Sequence, residues 1–537
     1  MKKKASSQLT SMPDAIRAAY RSGQEDEALE PMVLVDETGE PAGRIRSGDA
    51  VIFYDVRGER EVELTRCLTE PDFLHFPVVP GLNPDFVTLI EYASGLNVQV
   101  AFPPLERLKN TLSEALGSGG FRVLKVAESE KAIHVDYFFN GRNEDRRPWE
   151  ERLVVDSPAV EDYSTTPAMS ADAVAVAAVR ALEGTGNRVV IANLANVDVV
   201  GHIENKSSVV AAVEAVDIAL GRIVEGARRA GAALVVTADH GTVEEWFYPD
   251  GTPNTGHTAN PVPFILADFS AAAAGSSSGA LMKTGELADV APTVLQLAGF
   301  PVPVEMTGKS LIDERDAAPC DRILLLILDG WGLRAEAWGN LIGEASTPHF
   351  DSLSTGYPMA LLTAHGEAVG MPPGSVGNSE AGHLHMGAGR RVPLDRVRID
   401  QAIEDGSFGR NAVLLDVMRR AMGAGRTLHL MGIVSHYSSH GTLNHLFALM
   451  RMARNVGLSN IEIHAFIGRR GERPESGAVY VESVEEMCRE LGAGRVATVM
   501  GRFWSLDREE HWDRIEKTYG ALVRGIGTPV AVPKKSE

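Results

Sequence analysis

Cysteine is scarce in this chain: Cys67, Cys320 and Cys488 are the only three in 537 residues, scattered and in no CxxC spacing. That excludes a disulfide framework or a thiolate metal site and fits a reducing cytoplasm. No apolar run is long enough to span a bilayer, and no apolar segment of the signal-peptide kind follows the basic start MKKKASSQLTSMPD. Positive charge is also short, since 52 Lys and Arg against 72 Asp and Glu give a formal charge of -20. Such a balance repels nucleic acid and anionic membrane, so an anionic substrate needs an arginine cluster of its own. The expectation is a soluble cytoplasmic protein, monomeric, with neither nucleic acid nor membrane as partner.

What is present is 44% hydrophobic and 23% charged residues, enough for real cores, in a length that suggests two large domains. Short apolar runs alternate with helical patterns, as in α/β domains with largely parallel sheets. The runs are AVIFYDV (50–56), DFVTLIEY (85–92), RVVIANLANVD (188–198), ALVVTADHG (233–241), RILLLILDG (322–330), TLHLMGIVSH (427–436), IEIHAFIG (461–468) and RVATVMG (495–501). An amphipathic helix is expected over SSVVAAVEAVDIALGRIVEGARRA, stopping at Gly231. AAAAGSSSGA (271–280) reads as a surface loop, and VPVEMTGKSLIDERDAAPCD (302–321) as a join.

Chemistry concentrates where strands end. Asp198 and His202 in NVDVVGH are four apart and share a face if a helical turn begins there; Asp239 and His240 end ALVVTADH, and His257 lies in NTGHTANPVPF. Carboxylate with imidazole and no thiolate is a ligand set for a divalent ion such as Mn or Zn. In GSVGNSEAGHLHMGAG (374–389), Ser379 stands among glycines that allow close backbone approach, in G-N-S-E-A rather than the G-x-S-x-G of a hydrolase elbow. A serine hydroxyl needs a base or a metal to become a nucleophile, and a metal-activated serine is the reading that remains. The run RILLLILDG delivers Asp329 to a sheet edge.

LDGWG at Asp329, GNSEAGH at Ser379, ANVDVVGH, TADHG and HTANPVPF together resemble the motifs of the cofactor-independent phosphoglycerate mutases of the alkaline phosphatase superfamily. GDAVIFYDVRGERE, FVTLIEY, AFPP, EKAIHV, LHLMGIVSH, HAFIGRRGERP and MGRFWSLDREEHWDRIEKTYGAL extend the resemblance over nearly the whole chain. The order is rotated: the family's opening LDGWG strand stands behind its later segments, so the chain resembles a circular permutant joined through 302–321. Permutation is tolerated when the cut and the bridge fall in exposed loops.

The resemblance implies an α/β protein of two domains. Residues 107–393 would form an alkaline-phosphatase-like three-layer α/β/α metal domain, and 1–106 with 394–537 a phosphotransferase domain. It implies two divalent ions, manganese foremost with zinc, cobalt or magnesium as alternatives. One would be held by Asp198, His202 and His257, the other by Asp329, Ser379, Asp239 and His240. Ser379 would become phosphoserine and return the group to the substrate, a small phosphorylated or phosphono carboxylate. Arg57, Arg60, Lys131, Arg502 and Arg508 match the family's substrate-binding positions.

Two loops depart from the pattern. SHYSSHGT (435–442) keeps one histidine, His440, but has His436 where the family has Asp; GRRG (468–471) keeps Arg470 but has Gly468 and Gly471 where carboxylates stand. The second of those carboxylates is the family's general base. Its work falls to His440, His436 or Glu472, or the acceptor differs: a phosphono or phosphinyl analogue of glycerate, as in a phosphonate or phosphinate pathway, or water, which makes a phosphatase. The non-enzymatic alternative is a metal-binding pseudoenzyme, against which the retention of all seven metal positions argues.

Overall fold

The computed structural model describes residues 11–105, 107–160, 162–185, 188–270, 281–312, 319–423, 425–436, 438, 440–468 and 475–531. Its contacts divide the chain into two compact units, one split in sequence (Met1–Pro104 with Asp395–Glu537) and one continuous (Leu105–Leu394).

The split unit opens with β1 (Met32–Val35), β2 (Ala50–Phe53), β3 (Asp85–Thr88) and β4 (Gln99–Val100). The continuous unit follows with β5 (Arg122–Glu128), β6 (Glu150–Val155), β7 (Arg188–Leu194), β8 (Ala233–Thr237), β9 (Val262–Asp268), β10 (Thr284–Glu286), β11 (Arg322–Leu328) and β12 (Met359–Thr363). The split unit resumes with β13 (Leu428–Ile433), β14 (Ile461–Ile467), β15 (Arg495–Gly501) and β16 (Thr528–Ala531). Each unit is built on one eight-stranded sheet, and the chain is an α/β protein.

The continuous unit's sheet runs β10-β12-β9-β8-β11-β7-β5-β6. Only β9 is reversed, pairing antiparallel with β8 and β12. The run RILLLIL becomes β11 at the centre, in register with β7 on one side and β8 on the other. A strand covered on both faces needs apolar residues at every position rather than alternation, and Ile323 to Leu328 are all fully buried. The long helix Lys206–Ala230 buries Val209, Val213, Val216, Leu220 and Ile223 at three- and four-residue spacing. Asn205 caps its start by accepting from Ser208 N–H, and Gly231 ends it in the left-handed region at φ 60°.

The split unit's sheet runs β16-β1-β15-β14-β13-β2-β3-β4, with β1 antiparallel to β15 and the other neighbours parallel. The expected runs 50–56, 85–92, 427–436, 461–468 and 495–501 supply β2, β3, β13, β14 and β15; β15 spans its whole run and the others are shorter than theirs. The loop 271–280 lies outside the described residues, as do 313–318 of the segment 302–321. In the rest of that segment Met306, Leu311, Ile312 and Cys320 anchor the chain in the continuous unit's core, while Val302, Val304, Glu305, Thr307 and Lys309 are exposed.

Candidate active site

In the continuous unit, β8, β11, β7 and β5 are adjacent and parallel, so their carboxyl ends open along one edge, where open α/β sheets bind ligands. Past β8 come Asp239 and His240; past β11, Asp329; past β7, the short helix Asn196–Gly201 carrying Asp198, with His202 at its end; past β5, the turn Ser129–Lys131. The turn into Asn196–Gly201 is tied to the centre by Asp198 N–H donating to the Asp329 carbonyl, 3.1 Å. Gly330 makes the close approach possible. It lies at φ 81°, and a Cβ there would stand 2.9 Å from both the Asp198 Cα and its amide nitrogen. Ser379 begins the helix Ser379–Ala388, capped by Asn378, whose side-chain oxygen accepts from Ala381 N–H. That helix rests on Asp239 through Gly382, where a Cβ would come within 2.5 Å of the Asp239 carbonyl oxygen.

Ser379 is buried, with its Oγ 2.7 Å from Lys131 Nζ, 3.0 Å from His240 Nε2 and 3.3 Å from Asp329 Oδ1. Lys131 Nζ also donates to Asp198 Oδ2 at 2.6 Å and to Asp329 Oδ1 at 2.7 Å. His257 Nε2 and His202 Nε2 lie 3.2 and 3.3 Å from Asp198 Oδ1. Their Nδ1 atoms face backbone carbonyls, Gly377 for His257 at 2.8 Å and Thr255 for His202 at 2.7 Å. Such contacts orient an imidazole so that Nε2 points to the cluster. Structure therefore brings Asp198, His202, Asp239, His240, His257, Asp329, Ser379 and Lys131 together. Lys131 stands with the carboxylates of the continuous unit, while Arg57, Arg60, Arg502 and Arg508 belong to the split unit.

Two further residues complete the cluster. Asn193 on β7 donates to Asp329 Oδ2 at 2.7 Å and is 3.0 Å from His383 Nε2; His383 Nδ1 faces the Ser379 carbonyl at 2.8 Å and Asp239 Oδ2 at 3.3 Å. Sequence reasoning missed both. His383 had a signal, since it follows Ser379 by one helical turn within GNSEAGH; Asn193 had none.

Three buried carboxylates gathered around one lysine leave negative charge in surplus. Burial resists the charge on Asp198, yet Lys131, His202 and His257 outweigh it and hold the carboxyl well below its usual range. Asp239, also against burial, is held low by His240 and His383. Asp329 is raised, first by burial and then by the Asp239 charge. Lys131 is raised despite burial, by Asp329 and Asp198. Ligand atoms of Asp198, His240 and His257 lie within 4.8 Å of one another, as do those of Asp239, His240 and Asp329, and Asp239 Oδ2 is buried without a hydrogen-bond partner. Oxygen and imidazole donors, a surplus of anionic charge and an orphaned carboxylate oxygen fit a divalent cation.

In the split unit, β15, β14, β13 and β2 also end along one edge. β2 leads into Asp55, Arg57, Arg60 and Glu61; β13 into His440; β15 into Arg502. Glu59 joins Arg57 (3.1 Å) to Arg508 (2.9 Å), and Arg60 donates to the Leu506 carbonyl at 3.3 Å. His440 Nδ1 is 2.7 Å from Glu61 Oε1, with both groups buried. Burial lowers His440 to about 4, against Asp55, which favours its charge, and with help from Arg502, Arg57 and Arg60. These residues thus share one basic neighbourhood. Arg470, Gly471 and Glu472 lie outside the described residues, as do Tyr437 and Ser439; His436 is described and exposed.

This fold and site define a metal-binding α/β protein with a serine at the centre of its cluster. Comparisons with known proteins carry the definition further. The model of the Metalloenzyme superfamily matches residues 31–302, and that of the BPG-independent PGAM N-terminus matches residues 399–536. A 2,3-bisphosphoglycerate-independent phosphoglycerate mutase from Moorella thermoacetica is 42% identical over 306 residues, 57% of this chain and 58% of that protein. One from Thermomicrobium roseum is 45% identical over 306 residues, 56% of this chain and 57% of that protein. A crystal structure of Leishmania mexicana phosphoglycerate mutase at low cobalt concentration is 30% identical, covering 52% of this chain and 53% of that one with a TM-score of 0.37. The chain belongs to the Metalloenzyme superfamily and, within it, to the 2,3-bisphosphoglycerate-independent phosphoglycerate mutase family. The matched stretch spans less than two-thirds of the length of these curated relatives. Among the described residues no helix is long and apolar enough to cross a membrane.

Proposed function

We propose that this chain is a phosphotransferase of the mutase type, passing the phosphoryl group of a small phosphorylated carboxylate through Ser379. The observation that carries the reading is the Ser379 hydroxyl itself, buried at a helix start and within hydrogen-bond distance of Lys131 and His240. Two divalent ions, manganese foremost, would be held by Asp198, His202 and His257 and by Asp239, His240, Asp329 and Ser379. Bound there, they supply a lowered pKa to the serine hydroxyl and positive charge for the transferring group. The chain's own residues do the rest. Ser379 Oγ attacks phosphorus, Lys131 stabilises its oxyanion form, and the amides opening Ser379–Ala388 favour the anionic phosphoryl oxygens. Arg57, Arg60, Arg502 and Arg508, with Arg470, hold the substrate's anionic groups, for which forked guanidinium donors are suited.

The same reading makes the chain cytoplasmic and circularly permuted relative to its family. The permutation is supported by the match to the family's N-terminal model at 399–536, downstream of the Metalloenzyme match. A second reading, phosphoryl transfer to water or to another acceptor, is favoured by Gly471, which stands where a carboxylate base is expected. Incubating metal-loaded protein with 3-phosphoglycerate and following phosphorus by NMR separates them. Formation of 2-phosphoglycerate supports the mutase, release of inorganic phosphate the phosphatase. No turnover of any phosphorylated or phosphono carboxylate, with no divalent ion retained, contradicts both.

A further inference from the structure

Glu61 has no place in the chemistry above, and its surroundings are unusual. It is fully buried, 0% exposed, immediately before the helix Val62–Thr69, and both of its oxygens are engaged. Oε2 accepts from the Arg60 backbone N–H at 3.0 Å, and Oε1 faces His440 Nδ1 at 2.7 Å. His440 is itself fixed: its backbone N–H donates to Ser438 Oγ at 3.1 Å, and Val56 N–H donates to its carbonyl. Its Nε2 has no partner among the described residues and is not among the buried orphaned atoms. The charged groups facing the pair are Asp55 from the end of β2, Arg57 and Arg60 beyond it, and Arg502 beyond β15. Asp55 is wholly buried, and burial first and the neighbouring Glu61 second raise its carboxyl well above the usual range. A buried acid–imidazole pair is poor value as a stabilising device, because desolvation offsets most of the attraction. One nitrogen locked on a carboxyl and the other left open is the geometry of an oriented acid–base group.

We propose that Glu61 and His440 form a proton relay for the accepting and departing oxygen of the substrate, with Glu61 the positioning residue and His440 the group that meets substrate. The proposal rests on the phosphotransfer reading above. Burial pushes the Glu61 carboxyl up to about 8 and the His440 imidazolium down to about 4, so at neutral pH Glu61 O–H donates to Nδ1 and Nε2 carries a hydrogen. As the Ser379 Oγ–phosphorus bond forms and the substrate oxygen–phosphorus bond breaks, the Nε2 proton passes to the departing oxygen. The Glu61 proton moves to Nδ1, leaving Glu61 as carboxylate. On return every transfer reverses: Nε2 takes the hydroxyl proton, Nδ1 gives its own back to Glu61, the oxygen–phosphorus bond forms and the serine ester breaks. No proton is gained or lost over the cycle. One pair thus serves as acid and then as base without a carboxylate at position 471.

The test uses full-length magnesium-loaded protein labelled with 15N-histidine, plus Glu61→Gln and His440→Asn. Glutamine can still hold Nδ1 but cannot give up a proton to it. In the parent, the His440 nitrogens are expected to change in one step near pH 8, and in Glu61→Gln that step disappears. With 3-phosphoglycerate, Glu61→Gln is expected to lower kcat about 100-fold or more with KM within about threefold, and to lose the alkaline limb of the rate profile. Unchanged thermal unfolding of Glu61→Gln at pH 6 shows that the fold is intact. A His440 that titrates alone as an ordinary imidazolium, or a Glu61→Gln protein with the parent's kcat and pH profile, overturns the relay. If the parent never places phosphate on Ser379, it is the phosphotransfer reading that fails, and the histidine titration still decides whether the pair shares a proton.

Discussion

Replacing Lys131 by methionine keeps the length of the side chain and removes its charge from the middle of three buried carboxylates. Lys131 Nζ makes ion pairs of 2.6 and 2.7 Å with Asp198 and Asp329, all three side chains being 7% exposed or less. Removing one partner of a buried pair costs about 3–5 kcal/mol, because the other is left uncompensated. In the metal-free protein that loss falls on the continuous unit of about 290 residues, Leu105–Leu394. With an unfolding entropy of roughly 2 cal/mol/K per residue, the expected drop in Tm is about 5–8 °C. Lys131 is raised in the folded state, so its contribution is fully present below the ordinary lysine value and is lost as pH rises beyond it; pH 7 shows the whole effect. Scanning calorimetry of chelator-treated protein makes the measurement. Adding manganese should recover more of the Tm in the variant than in the parent, since the ion neutralises the same carboxylates. A metal-free Lys131→Met protein melting within about 1 °C of the parent refutes the reasoning.

Gly330→Ala should destabilise the protein by about 2 kcal/mol or more, through the positive φ and the 2.9 Å approach to the Asp198 backbone, and weaken metal binding; denaturant unfolding and cobalt titration read both. Stability should fall between about pH 6.5 and 8, by up to about 1.4 kcal/mol per pH unit, since over that range folded Glu61 keeps a proton that the unfolded chain has lost. Glu61→Gln should flatten that slope in urea titrations across the range. Ser379→Ala should abolish turnover and weaken, without eliminating, metal binding at the set it shares with Asp239, His240 and Asp329, which metal analysis and phosphorus NMR can establish together.

Eight apolar runs were legible as strands because they lie inside the sheets, where burial demands hydrophobic residues and leaves a mark in sequence. β5 and β6 were not. β6 is EERLVV, with charged residues and with Leu153 and Val154 half exposed, at the sheet's edge where one face meets solvent. Asp198, Asp239 and Asp329 could be read as strand-end carboxylates one at a time, and parallel pairing of β8, β11 and β7 puts them side by side. The Glu61–His440 contact joins residues 379 apart, and nothing local in either segment announces its partner. Lys131 in SEKAIH was expected among the substrate-binding residues by resemblance alone, and the path of β5 beside β7 carries its ammonium into the carboxylate cluster. Side chains at strand ends thus show their type in sequence, whereas their partners depend on sheet order.

The central claim is that Ser379 carries the phosphoryl group, and the direct measurement is peptide mass spectrometry of manganese-loaded protein quenched in acid during turnover of 3-phosphoglycerate. The account predicts one added phosphoryl group on the peptide containing Ser379, absent from Ser379→Ala and from chelator-treated protein. Turnover at full rate with that serine never modified, or with Ser379→Ala as active as the parent, would contradict it.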